Sequence, residues 1–518
     1  MLNLGRGRES WRPWTPASIT IIAALAAAGI TGYQLSRPGM LFGPTADIAV
    51  YLGAAVRLVH GAIPYRDFVL VQPPGIVLLT TPFAFLSEAI GTRDALAVLR
   101  LCTPLIAAAN VVLAGRLLRH RGAAAVLIAC AVMAFYPAEL YALGSVILES
   151  LLALLCLAGA NLVFSGDALA ERRRVIAGGA AFGVAIAIKL PAVIPVLVIA
   201  VVCLNDRGRL LRFLSGACAG FAVPTLPFLI VAPRAFFHDV LATQVMRLPG
   251  SERAPLADRL SAVTGIAGHE IAIAAVLGAL VIVIVAFVIV RRPVTGLERF
   301  AVLSTVAVAA AQFAPSQYYT QYAAFLAPFL ALLLGTSLSR LTARALRAAV
   351  HVVAGVAVLA LALQCAWFVQ GESQHDVAGT VDAVVPAGTC ALSDAPKYLV
   401  TSDRFVSTTP RCTSVVDPFG TQLALAGDPA AARRFWGHQF RTVDYVVTTT
   451  PVTSWYISVD PSLRAYIAEH FRLVRSGRLL FYVRSGLTPV VAGGAATQPF
   501  GRPSSSIAAS TMRAGVCV

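Results

Sequence analysis

Apolar runs separated by short, arginine-rich breaks dominate the chain. The first run, 17–36, is long enough to cross a bilayer as a helix. Others follow at about 76–90, 95–118, 122–137, 143–164, 175–204, 210–232, 269–290, 298–314, 321–338 and 346–369. Between the first two lies 37–75, the longest early segment that cannot cross. Within it Asp47 opens an amphipathic pattern, with Ile48, Tyr51, Leu52, Ala55 and Val59 at helical spacing, suited to a helix lying along a membrane surface. Past residue 370 the hydropathy drops. Pieces at 389–393, 444–450, 471–476 and 479–484 predict strands, and Pro461 predicts the start of a helix over 461–470. The pattern therefore predicts an α-helical polytopic membrane protein of about 11–12 transmembrane helices with a small α/β C-terminal domain. Its expected segments are a cytoplasmic N-terminus (1–16), a membrane domain (17–370), an extracytoplasmic α/β domain (371–485) and a disordered tail rich in Gly, Ser, Ala, Thr and Pro (486–518).

Composition agrees with the pattern. The chain has 518 residues, of which 58% are hydrophobic, and a mean hydropathy of +0.77, which excludes an ordinary soluble protein. The net charge of +16 raises nucleic acid as a partner. The arginines, however, sit in clusters at 116–121, 171–174, 205–212, 291–293 and 339–347, as cytoplasmic loops of a plasma-membrane protein require. Two topologies follow. If 76–90 is re-entrant and 175–204 crosses twice, all five clusters fall on the cytoplasmic side. If 76–90 spans and 175–204 crosses once, the first two fall outside. Both place 37–75, 233–268, 315–320 and everything after 370 on the opposite, extracytoplasmic face. No cysteine spacing suggests zinc. Cys390 and Cys412 lie in the polar C-terminal region, where they either pair, if that region is extracytoplasmic, or stay free thiols.

Candidate chemistry concentrates in 37–75. Asp47 reads as a general base or as a helix N-cap. Asp67, beside Arg66, reads as an acceptor-orienting acid or as one half of an ion pair bracing a turn. Tyr51 and Tyr65 are candidates for stacking on sugar faces, or for an interfacial aromatic belt. Lys189 lies deep in an apolar run, where an ammonium needs a partner, a lipid phosphate for example, or must snorkel to headgroups. Arg100 and Glu149, also in or near apolar runs, are expected to pair with each other or to line a cavity. Gln317, Tyr318, Tyr319 and Gln321 form a polar-aromatic cluster suited to sugar or phosphate, and Arg247 and Arg253 are loop arginines that could hold phosphate.

DIAVY (47–51), HGAIPYRDF (60–68) and QPPG (72–75), with APSQYYTQYAAFLAPFLALLLG (314–335), resemble the first extracytoplasmic loop and a late loop of membrane glycosyltransferases of the GT-C fold. Protein O-mannosyltransferases and lipid A aminoarabinose transferases are among these. The resemblance covers 17–370. It implies an inverting transfer of a sugar from a polyprenyl-phosphate donor to a cell-envelope glycan, glycolipid or glycoprotein, with Asp47 as base. Mannose or arabinose is the sugar guessed. One departure stands out: Ala46 and Ile48 flank Asp47, and Gln72 precedes Pro73, where many members carry a second acid or a basic residue. That leaves the acceptor geometry open, and with it any need for a divalent cation (Mg or Mn); no other cofactor is implied. A transporter or flippase of a lipid-linked sugar is the alternative, and a membrane scaffold a weaker one. A transporter predicts internal repeats, which the sequence lacks, and no glycine-rich phosphate loop suggests a nucleotide sugar.

Overall fold

The computed structural model describes residues 15–43, 46–145, 148–243, 254–266, 278, 294–315, 318–340, 344–371, 374–410, 412–455, 457, 459–487 and 496–498. Helices dominate up to residue 371. α1 (Pro16–Ser36) begins with a capping box at Thr15. α2 (Ala46–Val59) carries the amphipathic pattern. α3 (Gly75–Leu101) is kinked at Gly91, and α4 (Thr103–Leu118), α5 (Ala123–Phe135), α6 (Pro137–Ser145) and α7 (Leu148–Val163) follow. Then come α8 (Arg172–Ile188), α9 (Val193–Val202), α10 (Arg207–Val231), α11 (Leu256–Thr264), α12 (Gly296–Gln312), α13 (Ala327–Leu338) and α14 (Arg344–Gly371). Among the described residues four helical stretches are long and apolar enough to cross a membrane, and α5 with α6 is so as a pair bent by 45°. The chain is a multi-pass membrane protein.

Ion pairs show which helix ends share a face. Arg121, after α4, donates to Asp167, Glu298 and Ser339. Arg209 at the start of α10 donates to the Ala170 carbonyl. Arg121, Arg174, Arg209 and Arg340, each from a different arginine cluster, thus gather at one end, the basic face. At the other end the Gln374 N–H donates to the Pro38 carbonyl, Arg259 reaches the Gln312 and Pro315 carbonyls, and Gln321 reaches Asp47. We call this the site face.

These contacts decide between the two topologies. The 175–204 run breaks at Lys189-Leu190-Pro191, where Lys189 is extended and Pro191 starts a 3-10 turn. Proline lacks the N–H and crowds the preceding turn, so the helix stops there. α8 rises from the basic face and α9 returns, ending with Val202 against Gly296. α3 does not cross. Gly75 abuts the Ala187 carbonyl, and Gly91 (φ 86°) abuts the Asp403 carboxylate, both on the site face. Only glycine adopts that φ without strain, and a Cβ there would meet the carboxylate at 2.6 Å.

Two short strands, β1 (Phe164–Ser165) and β2 (Ala168–Leu169), pair antiparallel between α7 and α8. The C-terminal sheet runs in the order β3 (Ala391–Ser393), β4 (Tyr445–Thr448), β6 (Leu479–Arg484), β5 (Phe471–Ser476) and β7 (Ala496–Gln498), with β3 parallel to β4 and the other neighbours antiparallel. β5 (Phe471–Ser476), β6 (Leu479–Arg484) and the helix Pro461–His470 occupy the ranges the pattern predicts. Period-2 alternation splits the faces. Val447, Phe481 and Val483 pack into the same core as the membrane helices. Val446, Leu480 and Tyr482 pack under Trp436, Phe440 and Trp455. The domain is therefore seated on the membrane portion. Cys390 and Cys412 form a disulfide. Most of the tail expected at 486–518 lies outside the described residues, but Ala496–Gln498 forms the edge strand β7.

Candidate active site

A cavity of about 370 Å³ opens on the site face. Val71 and Gln72 wall it from the loop before α3, and Glu149 and Leu152 from α7. The α8–α9 break supplies Lys189, Leu190 and Pro191, and α12 with the segment after it supplies Gln312, Pro315 and Tyr322. Breaking the helix at Pro191 is what frees Lys189 to face this space. Its ammonium donates to Glu149, and its Nζ lies 4.7 Å from the centroid of the Tyr322 ring. The expected Arg100–Glu149 pair does not form, and neither does a snorkelling lysine. Lys189 and Glu149 pair with each other because α7 and α8 bring them together.

Arg100 is buried and serves another purpose. Its guanidinium donates to the carbonyls of Met40, Leu41 and Gly43, at 3.3, 2.5 and 2.8 Å. It therefore fixes the chain just ahead of α2, which carries Asp47. The helix begins at Ala46, so Asp47 is inside the first turn rather than at the cap. A carboxylate there is favoured by the helix dipole. Asp47 accepts a long hydrogen bond from Gln321 (3.4 Å) and lies within electrostatic reach of Lys189 and Glu149. It stands beside the cavity rather than among the residues lining it.

Other candidates fall elsewhere. Asp67 is exposed: it accepts from Arg66 and from the Ile63 N–H at 2.7 Å, and these bonds hold its carboxyl below the ordinary aspartate range. Asp67 and Arg66 pair across a turn, as the second reading of them expects, and are not among the residues lining the cavity. Tyr65 adopts φ 67°, is buried, and donates from its hydroxyl to the Gln72 carbonyl at 2.7 Å while its ring meets Phe228 and Phe236 edge-on. It sets the backbone of the Gln72-Pro-Pro-Gly segment and has no face free for a sugar. Tyr51 is buried too, within electrostatic reach of Asp47, Glu149, Tyr322 and Asp417. Tyr318 and Tyr319 pack edge-on against Tyr322, and Arg259 lies over the Tyr318 ring. Gln317, Arg247 and Arg253 lie outside the described residues.

The sequence reading does not name Tyr322, Gln72 or Gln312 as site residues, although Gln72 and Tyr322 lie within the two motifs it quotes; Gln312 has no signature beyond being polar in an apolar run. It notices Glu149 but gives it the wrong partner. The C-terminal domain also reaches the site: Asp417 caps the helix Pro418–Ala424, and Gly420 lies against Val71. Among the described residues no three His, Cys, Asp or Glu side chains come together to hold a metal.

Next to the polar cavity runs an apolar groove of about 560 Å³. α9 contributes Ile194, Leu197, Val198 and Val201, and α12 contributes Leu303, Val306, Ala307 and Ala311. Ile194 and Ala311 line both spaces, so the two adjoin. Leu197, Val201 and Val306 are more than half exposed, as lipid-facing side chains are.

Comparison with known proteins agrees with this geometry. Residues 71–316, just under half of the chain, match the model of glycosyltransferase family 87. No match is found among curated proteins. Among solved structures, ArnT from Cupriavidus metallidurans in the apo state superposes with a TM-score of 0.59 at 14% identity, covering 90% of this chain and 98% of that one. The Archaeoglobus fulgidus oligosaccharyltransferase tethered to an acceptor peptide superposes with a TM-score of 0.56 at 13% identity, covering 91% and 74%. ArnT bound to undecaprenyl phosphate superposes with a TM-score of 0.51 at 14% identity, covering 91% and 97%. The fold is the GT-C fold that the loop motifs resemble.

Proposed function

We propose that the chain is a membrane glycosyltransferase that moves a sugar from a polyprenyl-phosphate donor to an extracytoplasmic cell-envelope acceptor. One observation carries this reading: a cavity that holds a part-buried lysine among mostly apolar walls adjoins a lipid-facing apolar groove, and an aspartate stands beside it. A lipid phosphate is the ligand whose two halves suit those two spaces. Its chain would lie between α9 and α12, and its phosphate would meet Lys189. The family 87 match and the lipid ligand named for ArnT support the same donor class. The Cys390–Cys412 disulfide supports an oxidising, extracytoplasmic site face.

The chemistry then follows from the placement. An acceptor hydroxyl oxygen attacks the anomeric carbon from the side opposite the phosphate. The carbon–oxygen bond to phosphate breaks, and the departing oxygen keeps the electron pair. Lys189 stabilises that charge, which strengthens its effect in a water-poor cavity. Asp47 accepts the hydroxyl proton, a contribution worth about 10²–10⁴-fold. The anomeric configuration inverts. A mannose or arabinose donor is the first choice for assay. Membranes carrying the chain, given radiolabelled polyprenyl-phosphate sugars, should release label into an extracytoplasmic product. Wild-type membranes that consume none of a broad donor panel would sink the reading.

A further inference from the structure

Glu149 holds more capacity than Lys189 uses. It is 1% exposed and lines the cavity. One carboxylate oxygen, Oε1, accepts from Lys189. The other, Oε2, is buried and meets no donor from any other residue, the carboxyl's one further contact being its own backbone N–H. An orphaned buried acceptor costs about 1–3 kcal/mol, and more when charged. Such a cost persists where a ligand relieves it. The neighbouring lining side chains are poor substitutes. Gln312 donates its amide to the Tyr322 carbonyl at 2.7 Å, and Leu152, Ile194, Val308 and Phe325 are apolar.

The chemistry of the vacant acceptor restricts what can fill it. A phosphodiester at neutral pH offers only acceptors and a negative charge, so it cannot satisfy Oε2. A sugar hydroxyl can, because it carries hydrogen. Lys189 is the reverse: a pure donor with three hydrogens, one committed to Glu149. The pair therefore presents an acceptor and a donor side by side. Building on the donor reading above, we infer that Glu149 is a sugar-recognition residue. Its Oε2 accepts a hydrogen bond from a hydroxyl of the donor's sugar, while Lys189, held by Oε1, turns its remaining hydrogens to the phosphate. The pair thus sets which end of the donor's head group lies where, and it favours a sugar with a hydroxyl in that position over one without.

The test measures binding of two lipids to the purified full chain in detergent. One is undecaprenyl phosphate. The other is a mannose- or arabinose-bearing polyprenyl phosphate, whichever the wild type binds more tightly than the sugar-free lipid. Glu149→Gln should weaken the sugar-bearing lipid about tenfold, because a charge-assisted hydrogen bond is lost, and leave the sugar-free lipid within about threefold. Glu149→Ala should erase the wild type's preference between the two. Lys189→Ala should weaken both. If the Glu149 variants weaken both lipids equally, Glu149 serves only to hold Lys189, and the inference fails while the donor reading stands. If wild type binds neither lipid, the donor reading fails and the inference with it. Melting curves for each variant separate lost binding from lost folding.

Discussion

The two faces of the membrane domain each bury a cluster of charges, and the clusters differ in how completely they are satisfied. On the basic face Glu298, 1% exposed, accepts from Arg121 at 2.7 Å, from Arg340 Nε at 2.8 Å and from the Thr295 N–H at 2.9 Å. Arg121 continues to Asp167, Ser339 and the Thr336 carbonyl. Both Glu298 oxygens are used, and two cations face two carboxylates. On the site face Lys189 faces Glu149 and, further off, Asp47. Glu149 Oε2 meets no donor from another residue, and Asn110 Oδ1 is a second buried acceptor without one. A closed network ties helix ends together and gives a ligand nothing to do. An open one carries an energetic debt that a ligand can relieve.

The sharpest way to break this comparison is on the closed side. Glu298→Ala leaves two buried arginines without their carboxylate and should cost about 3–5 kcal/mol of stability. Activity per folded molecule should stay near wild type. A melting point that does not move, or a turnover that collapses in protein still folded, would mean that the basic-face cluster is not a structural clamp.

The open side predicts the opposite signature. Asp47→Asn keeps size and its place in the first turn of α2 but cannot take a proton. Turnover should fall about 10²-fold or more, roughly 2.7 kcal/mol, with melting close to wild type. Near wild-type turnover would remove Asp47 as base. Asp67 is not among the residues lining the cavity.

A smaller effect separates charge from shape at Lys189. Lys189→Arg keeps the charge but spreads it over a planar group. Apparent donor affinity should drop by about tenfold or less, near 1.4 kcal/mol, and Lys189→Ala should lower it further. Equal donor affinity in all three forms would leave Lys189 as a partner of Glu149 and nothing else.

The smallest effect lies at the exposed Arg66–Asp67 pair. The folded carboxyl sits below its ordinary value because Arg66 and the Ile63 N–H favour the charged form. Its stabilisation is therefore present above the unfolded aspartate pKa, about 3.9, and fades as pH falls through the lower folded value. An exposed pair is screened, so Asp67→Asn should cost less than about 1 kcal/mol at neutral pH and nothing once both forms are protonated. A loss that persists unchanged at low pH would show that the turn depends on the side chain's shape rather than its charge.

Much of this was legible along the chain. Apolar runs mark where helices lie, because a backbone in lipid must satisfy its hydrogen bonds within the helix. Alternation marks β5 and β6 to the residue, since one face of each meets the membrane core and the other the domain's own helices. The QPPG and DIAVY motifs identify the loop and its aspartate because they are local. What the sequence could not supply is partnership. Glu149 and Lys189 are 40 positions apart, and Arg100 meets carbonyls nearly 60 positions away. Each is a charge in an apolar run, so the sequence by itself determines that each needs a partner. Only the tertiary structure decides which partner it gets, because the pairing depends on where α7 and the α8–α9 break come to rest. The same holds for the unused oxygen of Glu149: a carboxylate is visible in the sequence, but its vacancy exists only once every neighbouring donor has been placed.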